Sequence, residues 1–364
     1  MIPVTRPFLP PREEYEALLD GIWDRIWLTN NGPLVHQFEE QVAARLELTR
    51  PLYVASGTLA LQLAMKALEL EGDVVTTPFS YVATTSALVW EGCTPVFADI
   101  DPGTFTIDPA AVDAAVTGRT SGIVATHVFG TPCDIDALDA IGRARGIPVI
   151  YDAAHSFATT YRGCSVLSYG DASACSLHAT KVFHTVEGGL LVTRDEAARE
   201  ATERMRNFGH VDYTTFDGVG INAKASELHA AMGLCNLGHL DELLARRRAI
   251  DERYHAGLAD LLEEGRVVPQ SGRAEAVPNH SYVPMLFEDA TRRERVHHAL
   301  VDRNIHPRRY FSPALHELNY LGPPPSLPVV EDVAARILCL PTYHDMTDEQ
   351  VDDVVSVIVA AHRS

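Results

Sequence analysis

The sequence predicts an α/β protein, with a large domain built on a mostly parallel sheet and a smaller C-terminal α+β domain. Two observations predict it. From about residue 50 to 195, short apolar runs alternate with helical stretches, as strands and crossover helices do. A strongly helical connector over 223–262 then leads into a tail that mixes strand and helix signals. Residues 1–245 therefore read as an N-terminal arm plus the large domain, and 246–364 as the small one.

The first dozen residues carry four prolines, three of them flanking Phe8-Leu9, and predict an extended arm that packs on a partner subunit. A helix through Glu14–Leu19 follows. Strands are expected at Leu52–Ala55, Asp73–Thr76, Pro95–Ala98, Gly122–Thr126, Ile147–Tyr151, Ala172–Cys175 and Leu190–Val192. Between the first two, Thr58–Leu70 places Leu59, Leu63, Ala67 and Leu70 on one helical face, with Gly72 as the stop. In the tail, a strand over Ser281–Leu286 and helices near Arg292–Asn304 and Thr347–Ala361 are expected. Leu321–Pro328 carries successive prolines and reads as a loop.

Composition is that of an ordinary globular enzyme, with 46% apolar and 22% charged residues over 364 positions. The 30 Lys+Arg against 49 Asp+Glu give −19, which repels nucleic acid and anionic membranes, so neither is an expected partner. An anionic substrate needs a local basic pocket. The six cysteines form no Cys-x-x-Cys pair, so no metal centre or disulfide framework is expected. The start lacks a signal-type apolar core and no 18-residue apolar run occurs, which together predict a cytoplasmic protein.

The chemistry concentrates around Lys181. It closes Ala174-Cys-Ser-Leu-His-Ala-Thr-Lys181 and precedes a double glycine and the run Leu190–Val192, an unusual setting for a solvated surface lysine. Desolvation there makes the amine nucleophilic. Asp152 follows an apolar run, at the strand end where open α/β sheets bind ligands. A lysine able to form a Schiff base and an aspartate able to hold a pyridinium nitrogen are what pyridoxal 5′-phosphate requires. Ala55-Ser-Gly-Thr58 opens a helix and offers N–H groups and hydroxyls to a phosphate, to which Ser176 adds another hydroxyl; a simple helix cap is the other reading. Taken alone, Asp152 reads rather as an N-cap, His155 as a structural histidine and Tyr81 as core.

Together the motifs resemble the DegT/DnrJ/EryC1/StrS sugar aminotransferases, pyridoxal-phosphate enzymes of fold type I. The resemblance rests on Thr29-Asn-Asn-Gly-Pro33, Ala55–Thr58, Pro78-Phe-Ser-Tyr-Val-Ala-Thr84, Tyr151-Asp-Ala-Ala-His155, Ser176–Lys181 and Gly220-Ile-Asn-Ala-Lys-Ala-Ser-Glu227. It implies that Lys181 forms the Schiff base, Asp152 pairs with the pyridine nitrogen and His155 contacts the ring oxygen. It further implies that Gly57, Thr58 and Ser176 hold the phosphate and that Tyr81 covers the ring. Asn222 is expected to reach the partner's phosphate in a homodimer with shared active sites. Tyr151 stands where many members have Glu, and Lys224 where Arg is frequent.

The stretch Ser176–Gly189 resembles the branch that aminates C4 of nucleotide-linked 4-keto-6-deoxy sugars. The implied reaction passes an amino group from L-glutamate to dTDP-4-keto-6-deoxyglucose, giving dTDP-4-amino-4,6-dideoxyglucose. Arg308, Arg309 and Tyr310 are the candidates for the diphosphate and base, and Asn31 and His184 for the sugar. The alternatives are amination at C3 of a 3-keto sugar and a non-catalytic regulator that binds the cofactor. A 3-dehydratase of the same fold carries histidine at the Schiff-base position, and a nicotinamide oxidoreductase requires a Gly-x-Gly-x-x-Gly that this chain lacks.

Overall fold

The computed structural model describes residues 1–363. Its centre is a seven-stranded sheet formed by β1 (Leu52–Val54), β2 (Asp73–Thr76), β3 (Thr94–Phe97), β4 (Thr120–Thr126), β5 (Val149–Asp152), β6 (Ala172–Ser176) and β7 (Gly189–Thr193). The spatial order is β1-β7-β6-β5-β4-β2-β3. β7 runs antiparallel to both neighbours, and the other pairings are parallel. Helices cover both faces, so Val, Ile and Leu of the central strands are buried on either side. In the register, Asp152 on β5 lies beside Thr126 on β4 and Ala174 on β6. The C-terminal edge of the parallel strands thus gathers Thr126, Asp152 and Ser176.

The crossover helix Gly57–Ala67 begins where Ser56 caps it, its Oγ accepting from the Leu59 N–H at 3.2 Å. Its apolar face is wider than the single stripe expected: Ala60, Leu61, Leu63, Ala64 and Met65 are buried, while Leu59 and Ala67 are only partly so. The helix also stops earlier than expected. Its last turn closes at Ala67, Glu69 takes the left-handed conformation, and Gly72 instead turns the chain into β2. Strand limits moved by one or two residues, most usefully at β5, which opens after Ile147-Pro148 and takes in Asp152.

The helical connector starts at Glu227 rather than 223, capped by Ser226. Its second helix, Leu240–Gly257, serves two cores, with Leu240 in one and Ile250 and Tyr254 in the other. The second core gathers around an antiparallel sheet of β8 (Val267–Pro269), β9 (Val283–Phe287) and β10 (Ile337–Leu340), with helices Ala290–Asp302 and Asp348–Arg363 against it. The proline-rich loop ends one residue sooner than expected. Pro328 is the first residue of helix Pro328–Arg336, where its fixed φ and missing N–H carry no penalty.

The N-terminal arm lies on its own chain. Ile2–Pro3 pairs in parallel with Ile305–His306, and the Val4 carbonyl accepts from the Thr342 N–H. Arg6 pairs with Asp345 at 2.7 Å, and the Phe8 ring contacts those of His239 and His344. No helix among the described residues is long and apolar enough to cross a membrane.

Candidate active site

Between β6 and β7 the chain runs through residues 177–188 and returns antiparallel, so that Gly189 pairs with Ser176. Lys181 sits in this segment, its N–H bonded to the His178 carbonyl at 2.9 Å. What holds it still is the core beneath. Val182 and Phe183 are buried directly after it, and the Phe183 ring stacks on Phe157 at 4.2 Å. Burying one such aromatic contributes about 1.5–3 kcal/mol, enough to fix a short loop. The return strand needs Gly189, because a Cβ there would lie 2.5 Å from the Ser56 backbone. Gly57 likewise brings the helix start against Ser176, where a Cβ would meet the serine Cβ at 2.9 Å. The two predicted phosphate elements are therefore brought into contact.

Lys181 opens onto a cavity of about 310 Å³. Ser56, Gly57, Thr58 and Ser176 line one part of it, Asp152 and His155 another, and Tyr81 stands at its edge with most of its ring exposed. Loss of solvation lowers the Lys181 pKa, opposed by the Asp152 carboxylate and, more weakly, by Cys175, Tyr310 and Tyr81. Burial raises the pKa of Asp152, against the hydrogen bonds from Thr84 and Ala154 and the charge of Lys181. Its Oδ2 accepts from Thr84 Oγ1 at 2.6 Å and its Oδ1 from the Ala154 N–H at 3.1 Å.

His155 Nδ1 accepts the Phe129 N–H at 3.1 Å, and burial holds its pKa well below the usual histidine value. The ring is therefore neutral with its proton on Nε2, leaving Nε2 as a donor. Tyr282, Tyr310 and Phe311 complete the cavity. The His155 ring lies parallel to Phe311 at 5.8 Å and tilted against Tyr282 at 4.8 Å.

Lys181, Asp152, His155, Ser176, Gly57, Thr58, Tyr81 and Tyr310, all expected from the sequence, line this one cavity. The remaining candidates do not. His184 is buried outside it as a framework residue: its Nδ1 accepts from the Val186 N–H, and its Nε2 donates to the Phe8 carbonyl at 2.7 Å. That bond ties the N-terminal arm to the lysine segment. It also leaves no ring nitrogen for a sugar. Asn31 takes the left-handed conformation and is absent from the cavity lining, as are the exposed Asn222, Arg308 and Arg309. Burial lowers the Arg309 pKa, with the Arg293 charge adding to this and Glu294 opposing it, while burial raises the Tyr310 pKa against the charge of Arg308.

Among the titratable lining residues, His178, Glu187 and Tyr282 have no role assigned from the sequence. Thr84 has none either, although its motif was noticed, because no periodicity distinguishes a helix threonine that turns back onto a strand end. The two departures from the family pattern are accommodated locally. Tyr151 is buried and stacks on His127 at 4.4 Å, and the Lys224 ammonium stands 4.6 Å from the centre of the Phe208 ring.

Residues 11–359 match the DegT/DnrJ/EryC1/StrS aminotransferase family. The chain belongs to that family. It is 38% identical over 360 residues to a dTDP-4-amino-4,6-dideoxy-D-glucose transaminase of Shigella dysenteriae, covering 98% of this chain and 97% of the relative. It is 35% identical to an Escherichia coli protein of the same name, with 98% of each covered. Among solved structures, DesI in the presence of its TDP-sugar product is similar with a TM-score of 0.93 and 38% identity, over all of this chain and 93% of DesI. The architecture is accordingly that of fold type I, and the enzyme is a pyridoxal-phosphate-dependent aminotransferase. The donor set fits that cofactor. A lysine amine, a buried carboxylate and a helix N-terminus converge on one cavity beside an exposed tyrosine ring.

Proposed function

We propose that this enzyme transfers the amino group of L-glutamate to C4 of a nucleotide-linked 4-keto-6-deoxy sugar, dTDP-4-keto-6-deoxyglucose, giving dTDP-4-amino-4,6-dideoxyglucose. The observation that carries the reading is the convergence of Lys181, Asp152 and the start of helix Gly57–Ala67 on one cavity. The relatives named for this sugar, each spanned almost end to end, support the substrate.

Bound pyridoxal phosphate supplies an aldehyde that captures amines and a ring that takes up electron density when the bond from Cα to hydrogen breaks. The protein's part is to place and move protons. Lys181 Nζ, its pKa lowered, is a nucleophile when neutral. With the cofactor bound, Nζ would be placed to take the proton from Cα of glutamate and to return it, acting as base and then acid. When the ketosugar is the acceptor the same nitrogen carries the proton the other way, to C4. Asp152 as an anion would hold the protonated ring nitrogen, and His155 Nε2 would donate to the ring oxygen. Thr58 and Ser176 offer hydroxyls, and the unpaired N–H groups at Gly57 and Thr58 face the phosphate. Tyr81 covers the ring.

The same reading has the enzyme working as a cytoplasmic homodimer in which Asn222 serves the partner's site. Asn222 is exposed and lies beside an exposed apolar stretch containing Phe208, Val211, Tyr213, Phe216, Val219 and Ile221, which supports burial against a second copy. The six unpaired cysteines support a reducing compartment. The test is to incubate the cofactor-loaded protein with L-glutamate and a panel of 3-keto and 4-keto nucleotide sugars, then locate the new C–N bond by NMR. Amination at C3 alone would remove the regiochemical assignment, and no amination of any ketosugar would remove the sugar reading.

A further inference from the structure

Asp152 Oδ2 stands at the end of a line of buried hydroxyls. Thr84 Oγ1 donates to Oδ2 at 2.6 Å, Ser80 Oγ lies 2.8 Å from Thr84 Oγ1, and Thr126 Oγ1 lies 3.1 Å from Ser80 Oγ. All four side chains are buried. A hydroxyl has one proton to give. The Thr84 proton is committed to the carboxylate, so Ser80 must supply the proton of the next bond, and Thr126 must then donate to Ser80. The direction of the whole line follows from which atom sits at its end.

The reverse direction fails at Thr126. Were Asp152 protonated at Oδ2, Thr84 would have to accept from it, Ser80 from Thr84 and Thr126 from Ser80. The Thr126 hydroxyl proton would then have no acceptor, because its one hydrogen bond among the described residues is the contact with Ser80. A buried donor left without a partner is costly, so the line has one favoured direction. The register of the sheet supplies the spacing, since Thr126 and Asp152 are paired neighbours on β4 and β5. The other two hydroxyls stand four residues apart, at 80 and 84, where the helix Val82–Trp90 begins.

We propose that Thr126, Ser80 and Thr84 form a one-way hydroxyl relay that keeps Asp152 ionised and oriented, with Thr84 as the positioning residue. This rests on the reading that Asp152 faces the cofactor's ring nitrogen, for which only the anion gives a charge-assisted bond. The relay answers a specific difficulty: burial alone pushes the Asp152 carboxyl toward its neutral form, and the Thr84 bond is the first of the influences opposing that. The other titratable groups facing Asp152 are Lys181, Cys175, Cys133 and Tyr282, with His155 on the same cavity wall. None of these reaches Oδ2 by a hydrogen bond.

The test is to titrate the Asp152 carboxyl by 13C NMR in the cofactor-free protein, with Asp152→Asn assigning the signal. Thr84→Val should raise its pKa by about one to two pH units. Thr84→Ser should restore it. Ser80→Ala should shift it in the same direction by less, and serves as the probe should Thr84→Val fold poorly. An unchanged titration in both Thr84→Val and Ser80→Ala would overturn the relay, whatever Asp152 does in catalysis. Cofactor affinity, measured in parallel by equilibrium dialysis, separates the two claims. A raised pKa with unaltered affinity and visible spectrum supports the relay and counts instead against the ring-nitrogen role.

Discussion

The cavity has two walls of opposite character. One is made at the C-terminal edge of the central sheet, where Asp152 and Ser176 sit at strand ends and are fixed by short hydrogen bonds, one from Thr84 behind the wall, or by a close glycine contact. The other comes from chain more than a hundred residues later and is aromatic: Tyr282, Tyr310 and Phe311, held by ring contacts with one another and with His155. Hydrogen bonds fix where a proton or charge resides, whereas ring contacts fix a shape. The sheet wall is therefore suited to chemistry common to any amino acid or ketosugar, and the aromatic wall to choosing among substrates.

The comparison makes its strongest demand at Lys181. Lys181→Ala should keep bound cofactor but lose at least about a thousandfold in turnover, since the proposed mechanism makes one nitrogen both nucleophile and proton carrier. Absorbance of the purified variant with single-turnover product analysis checks both halves; activity within tenfold of wild type would dissolve the distinction between the walls. Asp152→Asn should follow with about a hundredfold lower kcat and a sugar KM within about threefold of wild type, the pattern of an interaction that matters to reaction more than to binding. Steady-state kinetics against both substrates would decide.

The two walls also differ in how far the sequence reveals them. Lys181, Asp152 and Ser176 follow apolar runs that become β5 and β6, and Gly57 opens a helix, so each announces itself by position in a local pattern. Tyr282 and Phe311 carry no such signal, because their place depends on how the second core settles against the first. His184 shows the opposite failure. Three residues from the lysine it looked like a substrate contact, yet both ring nitrogens are taken up by backbone, one of them by an arm from the other end of the chain. The pairing of the arm is likewise invisible locally, because its strand partner at Ile305–His306 is some three hundred residues distant.

A smaller effect reports on the sheet wall without catalysis. The folded protein raises the Asp152 pKa above its usual 3.8, so it binds that proton more tightly than the unfolded chain does. The contribution to stability is fully present below 3.8 and is lost as pH rises through the raised value. Asn has no proton to lose. In the cofactor-free state, Asp152→Asn should therefore gain on wild type by about 1–3 °C in Tm as pH climbs through that window, with no further change above it. Calorimetry across pH 4–8 measures it, and a difference in Tm that is flat with pH would mean that burial does not penalise this carboxylate.

The last contrast lies at the edge of the aromatic wall, between neighbours that composition alone cannot tell apart. Arg308 and Arg309 are both exposed, and neither lines the cavity. Tyr310 feels the charge of Arg308, whereas Arg309 responds to Arg293 and Glu294 on the helix Ala290–Asp302. For a diphosphate entering past Tyr310, Arg308 is therefore the expected contact of the two. Arg308 contributes to the adjoining β10 only through its backbone, which bonds Cys339 in both directions, so removing its side chain leaves that pairing intact. Arg308→Ala should raise the sugar-nucleotide KM by about fivefold, the range of a solvent-exposed ion pair, with kcat and the glutamate KM unchanged. Arg309→Ala should stay within about twofold of wild type for both substrates. Equal effects from the two would show that the substrate's phosphates approach along the helix rather than across Tyr310, and the aromatic wall would then shape only the sugar.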